Sequence, residues 1–137
     1  MRKSQFTRET KLFSLLRDLF GELTWVQNGF HSFLLTPKGY PKQLDFYIPS
    51  LKLAFEHHGQ QHTNYVKFFH KSISGFEKMK NRDKEKARQC KEKKITLIVV
   101  WHEEVLCHKL LIQKVREQSP SIYAKMKSRW KKRGYND

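Results

Sequence analysis

The segment LDFYIPSLKLAFEHHGQQH, residues 44–62, sets Asp45, Glu56 and histidines at 57, 58 and 62 among two short apolar runs parted by Ile-Pro-Ser. A buried charge costs several kcal/mol unless it is paired or bound to a metal. Side chains alternate faces along a strand, so Glu56 and His58 share one face and His57 takes the other. Asp45, on the preceding strand, lies opposite them if the two strands pair. An acid from each strand and a polar group two residues on can converge on one divalent ion. Hard carboxylate oxygens suit Mg²⁺, which keeps several waters and accepts phosphate oxygens. Such an ion can activate a water towards phosphorus. The plainer alternative is a strand end capped by Glu56 and His58, with Asp45 salt-bridged to a nearby lysine. Gly59 permits a sharp turn, and His62 returns a fourth polar group to the same neighbourhood. A helical His-x-x-x-His zinc site on His58 and His62 is disfavoured, because Gly59 interrupts the helix it needs.

These residues need elements to position them. Leu12, Phe13, Leu16, Leu19, Phe20 and Leu23 recur at helical spacing and predict an amphipathic helix over 8–23, with Thr7 as N-cap. Two β-favouring pieces follow around Asn28-Gly29, a hairpin-type turn signal, before a loop at Pro37, Gly39 and Pro41. QLDFYI and LKLAFEH are the strands of the candidate site, and residues 59–74 suit an ordered loop. A long basic helix is expected over 75–94, its inner stripe Phe76, Met79, Asp83, Ala87 and Cys90. ITLIVVW reads as a central strand covered on both faces. Helical spacing resumes in 102–118, where His102 and His108 flank EEVLC; Pro120 breaks it, and a basic helix over about 121–134 ends the chain. The order is α-β-β-β-α-β-α-α, an α/β fold with helices around a small mixed sheet in a single domain over residues 1–137.

Twenty-eight Lys and Arg against thirteen Asp and Glu leave a net charge of +15. That field attracts phosphate polyanions. The helix from 77 and the tail KMKSRWKKRG are the candidate backbone-contacting surfaces, with Lys80, Arg82, Lys84, Arg129, Lys131 and Lys132 as contacts. Trp130 is placed either to stack on a base or to pack the last helix onto the core. No apolar run approaches the roughly 20 residues of a membrane helix. No apolar stretch follows the basic N-terminus as in a secretory signal, and the two cysteines fit a reducing intracellular setting.

The combination of LDFYIPSLKLAFEHHGQQH with RDKEKARQCKEKKITLIVVW resembles the branch of the PD-(D/E)xK nuclease superfamily related to very-short-patch-repair and phage homing-type endonucleases. The likeness runs over residues 44–101, with a weaker match in the first helix. It implies a restriction-endonuclease-like core in which Asp45 and Glu56 are metal ligands and Glu9 helps hold the ion. His58 stands where the superfamily pattern has Lys, to bind or activate the attacking water. His62 is implied as general acid/base or phosphate contact, and Asp83 as the carboxylate orienting it. Lys80 or Lys84 is the candidate substitute for the missing lysine. The zinc-holding cysteines and DNA-wedging aromatics of the mismatch-repair enzymes are absent from this sequence.

The expectation is therefore a Mg²⁺- or Mn²⁺-dependent DNA endonuclease that nicks one strand of duplex per active site. It would act as a monomer or transient dimer in the cytoplasm or nucleoid of a bacterial or phage-infected cell. Two alternatives stand beside it. One is a non-catalytic nucleic-acid-binding protein on the nuclease scaffold; the other is a junction-selective nuclease or an RNase.

Overall fold

A computed structural model describes residues 7–59 and 72–136. Its first element, α1 (Arg8–Phe20), starts where Thr7 accepts a hydrogen bond from the Thr10 amide (3.1 Å), and buries Leu12, Phe13, Leu16, Leu19 and Phe20. It stops at Gly21, three residues short of the apolar pattern.

β1 (Val26–Leu35) and β2 (Pro41–Ile48) form an antiparallel hairpin. The turn is not at Asn28-Gly29. A two-residue hairpin of that kind needs positive φ at both central residues, and here only Asn28 has it (φ 56°). The pair instead lies inside β1, where Gly29 stands opposite Leu44. The chain reverses at residues 36–40: Gly39 takes φ 86°, and the Thr36 amide and hydroxyl both bond Tyr40 backbone groups (2.8 and 3.0 Å). A short 3₁₀ turn, Pro49–Leu51, then carries the chain into β3 (Leu53–His58).

α2 (Ile73–Glu92) is capped by Ser72, whose hydroxyl accepts from the Gly75 amide (3.0 Å). It ends in a Schellman motif. Lys94 takes the left-handed conformation (φ 61°), while the Ile95 amide bonds the Cys90 carbonyl and the Lys94 amide that of Lys91. β4 (Thr96–Trp101) follows and pairs in parallel with β3, from Leu53–Thr96 to His58–Trp101. Among the described residues the sheet order is β1-β2-β3-β4. β4 is therefore at an edge rather than central. Its apolar run reads as fully buried because one face is: Ile98 and Val100 are buried, whereas Leu97 and Val99 are only half covered.

Residues 102–107 are not helical; α3 (His108–Gln118) begins after them, and α4 (Pro120–Lys132) completes the described order α-β-β-β-α-β-α-α. Strand alternation sorts the core into two layers. Phe46, Ile48, Leu53, Phe55, Ile98 and Val100 pack with α1, α3 and α4, and Tyr47 and Ala54 pack with Cys90 of α2. Trp130 is buried in the first layer, edge-on to Phe20, with its indole N–H on the Leu19 carbonyl (2.8 Å). It packs the last helix onto the first and is not exposed for base stacking. α2 is fastened across the hairpin by Gln89, whose side chain pairs with both the amide and the carbonyl of Leu35 (2.9 Å each).

Candidate functional site

β2 and β3 pair from Ile48–Leu53 to Phe46–Phe55, and the ladder stops there. At the next step the backbone amides are taken by carboxylates. The Asp45 amide donates to Glu56 Oε2 (3.2 Å), and the His57 amide donates to Asp45 Oδ2 (2.8 Å). Period-two alternation brings the two acids together, as their spacing predicts, and each satisfies the other strand's orphaned donor.

Their environments push them apart. Burial drives the Asp45 carboxyl up, the negative charge of Glu56 adds to this, and the bond from the His57 amide only partly offsets it; the result is about 6. Glu56 is also buried, which alone would raise it. The adjacent His58 ring, the charge and hydrogen bond of Lys86, and the Asp45 amide together outweigh burial and hold it below the usual range. At neutral pH Glu56 is thus a firm anion, and Asp45 is an anion kept at a cost.

The cation beside Glu56 is Lys86 of α2. Its Nζ donates to Glu56 Oε1 (3.1 Å) and to the Gln43 carbonyl (2.8 Å). The sequence pattern pointed to Lys80 or Lys84 for this place. Lys84 and Arg82 are exposed and Lys80 is half-buried. The inward stripe of α2 runs Phe76, Met79, Asp83, Lys86, Cys90, so Lys86 occupies the place expected for Ala87, which faces solvent. A search for apolar residues passes over an inward lysine. The spacing Met79–Asp83–Lys86–Cys90 is itself the signal that would have found it.

His58 lies on the Glu56 face, its Nε2 3.7 Å from Glu56 Oε1 and its ring edge-on to Trp101 at 5.1 Å. His57 faces the other way, where its Nε2 accepts from Arg8 Nε (3.3 Å). Arg8 also bonds the carbonyls of Trp101 (3.0 Å) and Glu104 (2.8 Å), tying the start of α1 to the end of β4. Its neighbour Glu9 is exposed and acts on Asp45 through charge alone, raising it further. Asp83 is half-buried one turn before Lys86. Its expected partner, His62, lies outside the described residues. Arg129, Lys131 and Lys132 line the exposed side of α4.

Two adjoining hard carboxylates, one of them destabilised by the other's charge, suit a divalent cation, which would relieve that repulsion. Among the described residues no three His, Cys, Asp or Glu side chains are arranged to hold a metal. An ion here would therefore rest on Asp45 and Glu56, with Glu9 adding charge and water completing its shell. No helix among the described residues is long and apolar enough to cross a membrane.

No protein-family model matches the chain, and no solved structure matches it. A 58-residue stretch, 42% of this chain, is 40% identical to "Uncharacterized protein 307L" of Invertebrate iridescent virus 6. The match spans 29% of that protein's length.

Proposed function

We propose that the protein is a divalent-metal-dependent DNA endonuclease with a restriction-endonuclease-like core, acting inside the cell on duplex DNA and nicking one strand per active site. The observation that carries this reading is the buried Asp45–Glu56 pair with the Lys86 ammonium set against it. Asp45 and Glu56 are the residues to hold the metal. When bound, the ion supplies charge neutralisation at phosphorus and a more acidic water. Glu56, kept anionic by Lys86 and His58, holds its ligand oxygen ready at any pH near neutrality. Lys86 brings from the helix the positive charge that the superfamily pattern takes from the strand, and beside Glu56 it would offset the charge a phosphate gains in displacement. His58 is placed to hold a proton at Nε2 beside Glu56. Exposed Arg82, Lys84, Arg129, Lys131 and Lys132 supply backbone contacts.

The test is nicking of supercoiled plasmid with Mg²⁺, with EDTA, and with a Glu56→Ala protein that retains DNA binding. Nicking that needs the metal and disappears in the variant is expected. DNA binding with no cleavage by the wild type in Mg²⁺ or Mn²⁺ would sink the proposal. It would favour a second reading, a nucleic-acid-binding protein in which the same network only joins the strands. One observation speaks for it: both Glu56 oxygens already have partners, Oε1 in Lys86 and Oε2 in the Asp45 amide.

A further inference from the structure

A cavity of about 660 Å³ opens between α3, α4 and the chain that follows α4, and none of the carboxylate-site residues lines it. Its volume is that of an ordinary small-molecule site, roughly 300–1,000 Å³. Its wall is built by a Schellman turn at Gly134 (φ 87°): the Tyr135 amide bonds the Trp130 carbonyl and the Gly134 amide that of Lys131, which folds Tyr135 back over the helix. Three aromatic side chains, Tyr123, Tyr135 and the buried Trp130, line the space together with Ser128 and three lysines, Lys127, Lys131 and Lys132. The rings are held in place. Arg116 lies over Tyr123 at 5.7 Å, and Tyr135 has His108 against it at 4.4 Å between centroids and the Arg133 guanidinium over it at 5.3 Å.

No acidic residue lines the cavity, and among the described residues none of the three lysines has an ion-pair partner. Lys127 and Lys131 are one turn apart on the same helix face, where like charges repel. Lys131 and Lys132, in the last turn, offset the electronegative carbonyl end of α4, and Lys127 lies a turn earlier. The helix end leaves Lys127 unaccounted for; an anion held between Lys127 and Lys131 accounts for it, and a flat ring suits the tyrosines. We propose that this cavity binds a nucleoside monophosphate unit, base against the tyrosines and phosphate against Lys127 and Lys131, either as a free nucleotide or as the 5′-phosphorylated end of a strand.

Titration calorimetry of the full chain in EDTA, which keeps the carboxylate centre out of the measurement, tests this. The probes are dAMP, deoxyadenosine, inorganic phosphate, and a hexadeoxyadenylate with and without a 5′-phosphate. Both parts of the ligand contribute if dAMP binds at least tenfold more tightly than deoxyadenosine or phosphate. A Lys127→Ala/Lys131→Ala protein, altered only at exposed positions, should lose at least tenfold, and Tyr123→Leu should lose affinity for dAMP but not for phosphate. Binding of the phosphorylated hexamer alone, lost in the double variant, assigns the site to strand ends. Phosphate binding as well as dAMP, a double variant that binds like wild type, or no binding of any probe would each overturn the proposal.

Discussion

Asp45→Asn should make the protein more stable at neutral pH, although the altered residue sits at the centre of the candidate site. The Asp45 carboxyl ordinarily titrates near 3.8 and is raised to about 6 in the fold. A raised acid binds its proton more tightly folded than unfolded, so stability falls as pH rises through the window from about 4 to 6. Above that window the folded state carries the full cost. The shift of roughly two units corresponds to about 3 kcal/mol at pH 8, and integrating the two titrations leaves about 1.5 kcal/mol at pH 5. Asparagine keeps an oxygen for the His57 amide and removes the charge facing Glu56. Glu56 is depressed and contributes with the opposite sign, in both proteins, so the difference between them reports Asp45. The assay is urea unfolding in EDTA, wild type against variant, at pH 8 and pH 5. The expected gain is up to about 3 kcal/mol at pH 8 and about half of that at pH 5. Saturating Mn²⁺ should then stabilise the wild type and leave the variant unchanged. A variant less stable than wild type at pH 8, or a gap that does not narrow with acid, would refute the reasoning.

Two further substitutions separate the roles of α2. Lys86→Met leaves Glu56 buried without its cation and should cost about 2–3 kcal/mol, at or below the low end for a broken buried pair, since the lysine side chain is 21% exposed. It should abolish nicking while gel-shift binding in EDTA persists. Lys94→Gly, at the left-handed residue that closes α2, should raise stability by about 0.5–1 kcal/mol without touching cleavage, as urea unfolding and plasmid nicking together will show.

The acids were legible in the sequence because alternation along a strand is rigid geometry: once 44–48 and 53–58 are strands, Asp45 and Glu56 must adjoin if the two pair. Lys86 was not legible by the same route. A helix stripe is recognised by its apolar members, and a lysine whose stem lies inward while its ammonium finds a carboxylate does not count as one. The Asn28-Gly29 signal misled for a different reason. The dipeptide permits a tight reversal without compelling it, and here pairing with β2 on both sides of it, from Val26 to His31, prevails over local turn chemistry. The apolar run of β4 reads as a central strand because it records burial of a face, and α1, α3 and α4 bury one face of a strand whether it is central or at an edge. Trp130 within SRWKKR suits stacking or packing equally by sequence; Phe20 and the Leu19 carbonyl, distant in the chain, decide for packing.

The carboxylates that replace the β2–β3 ladder turn two backbone amides into built-in reporters. The His57 proton points at an oxygen whose charge disappears near pH 6, and the Asp45 proton points at one whose charge does not. In an amide spectrum the His57 resonance will move as Asp45 titrates. Any cation drawn to Asp45 will displace that curve toward acid, so the protonation and loading of the centre can be read from a single peak, with no substrate present.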